Sequence, residues 1–168
     1  MDILIVDGYN MIGAWPELQE LKDQDLAMAR DRLIDLLADY KGYTGIHVIV
    51  VFDAYIAKGK ETKYKNYNVD VIFTSENETA DEKIEKLASE LVSRTTRVFV
   101  ATSDSTEQWT VFSQGALRKS ARELYIEVKE IEKQIAAEIQ EIEIKKPSTK
   151  IHLPKEIADF FEKLRRGG

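Results

Sequence analysis

MDILIVDGYN, Met1 to Asn10, is the stretch that decides the fold. Its apolar run from Ile3 to Val6 stops at Asp7 and Gly8, too short for an ordinary helix and rich in the β-branched residues of a strand covered on both faces. The form recurs along the chain. IHVIVVFD (Ile46 to Asp53) is a second apolar run closed by an acid, and VDVIFT (Val69 to Thr74) and RVFVATSD (Arg97 to Asp104) are short runs of the same character. Between them lie helical patterns. Leu26 to Tyr40 places Leu26, Leu33, Leu36, Leu37 and Tyr40 on one face, and Asp81 to Val92 does so with Ile84, Leu87, Ala88 and Leu91. Strands alternating with helices specify an α/β fold, a doubly wound, mostly parallel sheet of four to five strands flanked by helices. The fifth strand is expected at Ala116 to Lys119, after a short helix from Thr106 to Phe112 and a break at Gly115.

A long helix should follow. Ser120 and Glu123 have capping-box spacing, and Leu124, Val128, Ile131, Ile135, Ile139 and Ile142 recur at steps of three and four. That stripe is read as packing on the sheet rather than as a coiled coil. KKPSTK, Lys145 to Lys150, reads as a Pro-containing linker to a last helix whose apolar side is Ile157, Phe160, Phe161 and Leu164. Residues 1–144 are thus expected to form one domain, with 145–168 a linker and helix packed upon it.

With 168 residues and 43% hydrophobic content, the chain can bury a core without disulfides or structural metals. The absence of cysteine removes thiolate chemistry and cysteine zinc sites, and it implies an intracellular protein. The apolar start contains an acid and lacks both a basic leader and the length of a membrane span, so a cytoplasmic protein with no membrane association is expected. A net charge of −6 argues against a general polyanion binder, but not against a site that gathers carboxylates around cations and takes its phosphate contacts from local basic stretches.

In parallel α/β folds the ligand crevice lies outside the carboxyl ends of the strands, and here those ends carry acids. Asp7 closes the first strand, Asp53 the second and Asp104 the fourth. Asp81 follows the third, where Thr79 to Glu82 has the spacing of a helix cap that would aim its carboxylate at the sheet edge. Each acid alone could be a turn former or a cap. Their coincidence at four successive strand units points to a shared site. Crowded carboxylates repel one another unless cations neutralise them, and an oxygen-only ligand set suits Mg2+ or Mn2+. With His47 and His152 the only imidazoles, zinc is poorly supported. The chemistry implied is in-line attack by metal-activated water on a phosphodiester, with Asp7, Asp81 and Asp104 ahead of Asp53 as ligands.

These residues resemble a known family. VDGYN (Val6 to Asn10), VVFDA (Val50 to Ala54), TADEKIEKLA (Thr79 to Ala88), ATSD (Ala101 to Asp104) and SQGALRKSARE (Ser113 to Glu123) are similar, in that order and spacing, to the YacP-like NYN domains, a branch of the PIN-like nucleases. The resemblance implies a PIN-like three-layer fold and a magnesium- or manganese-dependent endoribonuclease with metal-binding acids at Asp7, Asp81 and Asp104, and Asp53 at the family's FDA position. Asn10 matches the asparagine of the DGYN motif, where its amide either orients Asp7 or a bound water, or forms a turn. The resemblance further implies association with the ribosome and cleavage of translated mRNA.

For substrate contacts, Lys58, Lys60, Lys63 and Lys65 interleave with Tyr55, Tyr64 and Tyr67, either an RNA-contacting loop or a solvated one. Arg118, Lys119 and Arg122 lie between the fifth strand and the long helix, placed to meet an RNA backbone. Trp15 and Trp109 read as core or staple residues rather than base platforms, and His47 as structural. The competing class is a non-catalytic RNA- or ribosome-binding module on the same fold. An aspartyl-nucleophile phosphatase would want a second Asp where Tyr9 stands, and DGYNMIG lacks the glycine spacing of a dinucleotide site.

Overall fold

Strands buried on both faces read as unbroken apolar runs, and the computed structural model, which describes residues 1–54, 68–151 and 162–165, places those runs at the centre of a five-stranded sheet. In chain order the elements are β1 (Asp2–Asp7), α1 (Gly8–Ala14), α2 (Pro16–Gln24), α3 (Leu26–Thr44), β2 (His47–Phe52), β3 (Asp70–Phe73), α4 (Ala80–Leu91), β4 (Arg97–Ala101), α5 (Ser105–Ser113), β5 (Leu117–Lys119) and α6 (Ala121–Ile151). Every pairing is parallel and the order is β3-β2-β1-β4-β5. The order reverses direction at β1, which puts the topological switch point between β1 and β4.

Register and alternation assign the two faces. Ile3, Ile5, Ile49, Val51, Val98 and Val100 form one core cluster with Ala80, Ile84 and Ala88 of α4 and with Val111 and Ala116. The opposite side chains, among them Leu4, Val6, Val50 and Phe52, are equally buried, on the side where α1 and α3 adjoin β2. Trp15 is buried there and donates from Nε1 to the carbonyl of Ala121 at 2.9 Å, the core role expected of it. His47 pairs with Asp70 at 2.7 Å at the amino-terminal end of β2, a structural role remote from the strands' carboxyl ends.

Three local features depart from the expectations. Helices α1 and α2 replace what the sequence leaves as irregular chain. α1 is short and poor in helix formers, and its buried face of Met11 and Ile12 supplies what propensity does not; α2 starts on Pro16, the favoured first helical residue. Secondly, the segment 145–150 is helical rather than a linker, because α6 runs on to Ile151 through Pro147. A proline in a helix interior costs about 3 kcal/mol, and the long, already nucleated run before it sustains the helix. Thirdly, the apolar stripe of α6 is buried only at Leu124, Val128 and Ile131, whereas Ile139, Ile142 and Ile144 are exposed.

The chain divides into two compact units, Met1–Ile131 and Glu132–Gly168. The first holds the whole sheet. In the second, Leu164 is exposed, and Ile157, Phe160 and Phe161 lie outside the described residues. No helix among the described residues is long and apolar enough to cross a membrane.

Candidate active site at the carboxyl edge of the sheet

Asp7 is the last residue of the central strand and the N-cap position of α1, buried at 7% exposure. It continues the alternation of Ile3 and Ile5 and so lies on the sheet face that α4 covers. Its register partner on β2 is Val51, and two residues further on comes Asp53, half-buried and of the same parity. Thr74, itself buried, fixes this neighbouring strand end: its N–H donates to Phe52 O at 3.0 Å and its Oγ1 accepts from Ala54 N at 3.0 Å. On the other side Val6 pairs with Ala101, so β4 delivers Thr102, Ser103 and Asp104 beside Asp7 at the switch point.

The turn after β4 is held from several directions. Thr102 is fully buried, and its Oγ1 accepts from Asp104 N at 3.1 Å, which folds the exposed Asp104 over it. Its backbone N–H reaches Lys119 O at 3.1 Å, and its carbonyl accepts from Gln108 Nε2 at 2.6 Å. Asn10 closes the arrangement. Its Oδ1 accepts from Ser103 N at 2.6 Å and from Ser103 Oγ at 2.7 Å, which ties the first helix to the turn carrying Asp104. This oxygen of Asn10 is directed to Ser103, a tie between two segments that the expectation for Asn10 did not include.

Asp81 is exposed in the first turn of α4, whose N-cap Thr79 accepts from Glu82 N at 3.2 Å as the capping spacing anticipated. Ala80 beside it packs in the same cluster as Ile5, so this helix start lies over the face that Asp7 continues. The four acids therefore occupy one edge. They do not form a closed cage: among the described residues no three acidic or histidine side chains stand close enough to hold a metal ion as a ready-made set. The donor chemistry nevertheless fits a hard divalent ion, since magnesium is commonly held by one or two carboxylates, with waters and substrate phosphates completing its shell.

Among the basic residues, Lys119 is already engaged. Its ammonium lies 2.8 Å from both carboxylate oxygens of Glu127 and 5.4 Å from the Phe99 ring centre. Arg118 and Arg122 are exposed. Lys58, Lys60, Lys63, Lys65 and Tyr64 lie outside the described residues. Trp109 corrects an expectation: it is 73% exposed, on the surface rather than in the core. Sequence reasoning also missed Arg30, a buried guanidinium on α3 that donates to Tyr9 Oη at 3.1 Å. Its signal was positional, a charge three residues before Leu33 on the apolar face.

A parallel sheet with this order, its switch point flanked by aspartates, defines a PIN-like α/β domain. The YacP-like NYN domain family matches residues 4–166, and the chain belongs to that family, within the PIN-like nuclease superfamily. It is 59% identical over 167 residues to the uncharacterized protein YacP of Bacillus subtilis (strain 168), covering 99% of this chain and 98% of that one. It also resembles the crystal structure of Rae1 (YacP) from the same organism, with a TM-score of 0.80 and 59% identity over 99% of this chain and 96% of that chain. A mutant of Rae1 gives a TM-score of 0.74 and 57% identity over 84% of this chain and 82% of its own.

Proposed function

We propose that this protein is a divalent-metal-dependent endoribonuclease that cuts mRNA, acting in association with the translating ribosome in the cytoplasm. The observation that carries the reading is Asp7: a buried carboxylate ending the central strand at the switch point, with Asp53, Asp104 and Asp81 brought to the same edge by β2, β4 and α4. Membership of a family of nucleases supports a nuclease role. The ribosome and mRNA enter from the family resemblance.

Asp7, Asp81 and Asp104, with Asp53 at the neighbouring strand end, are the residues that would hold Mg2+ or Mn2+. When bound, such an ion lowers the pKa of a water molecule and offsets charge on the phosphate. The protein's own contribution is placement. Thr102 and Asn10 hold the turn that carries Asp104, the cap at Thr79 holds Asp81 in the first turn of α4, and exposed Arg118 and Arg122 can meet the RNA backbone.

The test is message integrity. Purified protein and its Asp7→Asn and Asp81→Asn variants are incubated with translating ribosomes and Mg2+, and RNA 5′ ends are mapped. The expected result is discrete new ends with the unaltered protein, absent with either variant or with EDTA. Equal message integrity in all samples would leave only the alternative, a non-catalytic RNA- or ribosome-binding module.

A further inference from the structure

We propose that the cleft between α5 and β5 is a nucleotide subsite for single-stranded RNA, in which a base stacks on the Trp109 indole and Arg118 meets an adjoining phosphate. Gln108, Trp109, Phe112 and Arg118 line one open cleft of about 480 Å3. Trp109 and Phe112, one helical turn apart on α5, are 73% and 57% exposed. Tryptophan is among the residues most buried on average, so two large aromatics side by side in solvent mark a surface with a ligand.

The surrounding chemistry selects the occupant. An apolar partner helix would favour an aliphatic groove, whereas here the aromatic faces adjoin a guanidinium and a carboxamide. Arg118 Nη1 lies 3.5 Å from Gln108 Oε1, so the cation stands beside the rings on an otherwise acidic protein. Aromatic faces stack on any base, and a neighbouring cation tracks the backbone, the combination that binds single strands without sequence preference. A base paired in a duplex has no face to offer.

The cleft is also tied through Gln108 to the turn that carries Asp104, part of the candidate active site on whose reading this inference rests. Gln108 N donates to Asp104 O at 3.0 Å and its Nε2 to Thr102 O at 2.6 Å, so the cleft wall is built on the turn beside Asp7. Arg118 is in register with Val100, and Val100 with Ile5, which puts it on the sheet face that Asp7 continues. Two strand spacings separate β5 from β1, about 10 Å. A nucleotide next to the one being cut would bridge that distance.

The test uses fluorescence of the full chain carrying Asp7→Asn, so that RNA remains uncut. Its two tryptophans are distinguishable, Trp15 being buried and Trp109 exposed. Titration with a short oligoadenylate is expected to quench the emission, and an abasic ribose-phosphate oligomer of equal length to leave it unchanged. Because Trp109 is itself the reporter, its variants are read by anisotropy of an end-labelled oligoadenylate: Trp109→Ala should weaken binding about 5- to 100-fold, and Trp109→Phe should restore most of it. Arg118→Ala should weaken binding and reduce its salt dependence. The subsite is refuted by equal quenching with the abasic oligomer, by no binding of oligoadenylate, or by affinity unchanged in Trp109→Ala, including the case where that variant instead loses association with a protein. Cleavage is a separate readout: base-dependent quenching in a chain whose unaltered form never cuts RNA would support the subsite while removing the nuclease reading.

Discussion

The amide oxygen of Asn10 accepts two hydrogen bonds from Ser103, one from the backbone at 2.6 Å and one from the hydroxyl at 2.7 Å, across 93 residues of sequence. The contact locks the helix that follows Asp7 to the turn that presents Asp104. Asn10→Ala removes both bonds at once and is expected to cost about 1–3 kcal/mol. In single-turnover assays it should slow cleavage about tenfold to a hundredfold, because a displacement on the order of 1 Å has that effect. Asn10→Asp retains an acceptor and should recover most of the stability. Wild-type cleavage by Asn10→Ala would show that the tie positions nothing.

Gly8 follows Asp7 and lies against the ring of Phe52, where an added Cβ would fall well inside van der Waals contact. Phe52 is fully buried, with the ring centres of Tyr9 and Phe73 5.0 and 5.5 Å away, so the ring has little room to yield. Gly8→Ala should therefore destabilise by about 1–3 kcal/mol through overpacking. Combined with Phe52→Leu, which opens the space, it should cost less than the sum of the two single changes in denaturant unfolding. Strict additivity would mean that the two do not press on each other.

Much of this architecture was legible because its signals are local. A central parallel strand has no solvent face, so β1 and β2 appear as apolar runs, and the acid ending each run marks where the strand leaves the core. The caps of α4 and α6 were equally plain, with Glu82 N on Thr79 Oγ1 and Glu123 N on Ser120 Oγ as the spacing required. What escaped depends on tertiary surroundings. α1 is helical because Met11 and Ile12 are buried, not because of its composition. Lys119 is occupied because Glu127, eight residues later, returns to it one helix away. The exposure of Trp109 has no counterpart in the sequence at all. The acids could be assigned to an edge from strand ends, but how closely they gather depends on loop geometry that no spacing encodes.

Glu127 also accepts from Tyr40 Oη at 3.0 Å, and burial, reinforced by that carboxylate, pushes the Tyr40 phenol well above its ordinary value of 10.0. The folded state thus retains this proton where the unfolded chain gives it up. The resulting stability is fully present below about pH 10 and is lost as pH rises from there towards the folded-state value. Tyr40→Phe should lower stability by about 1.5–3 kcal/mol at neutral pH, where a hydrogen bond to a charged group is lost. It should also flatten the alkaline fall in the unfolding midpoint. An unchanged alkaline profile would assign that fall to other groups.

Attack by a water molecule leaves a 5′-phosphate and a 3′-hydroxyl, whereas attack by the RNA's own 2′-hydroxyl leaves a cyclic phosphate and a 5′-hydroxyl. The candidate edge favours the first. On the proposed reading its carboxylates would hold a cation that activates a water, and His47, paired with Asp70 at the amino-terminal end of β2, stands away from that edge. A substrate with one 2′-deoxy sugar immediately 5′ of the cut should therefore be cleaved within a few-fold of the all-ribose rate, provided Mg2+ or Mn2+ is present. Removing the ion with EDTA should stop both substrates together. Cyclic phosphate ends, or a cut abolished by the single deoxy sugar, would overturn the proposed attack by water while leaving the fold and the placement of Asp7 unaffected.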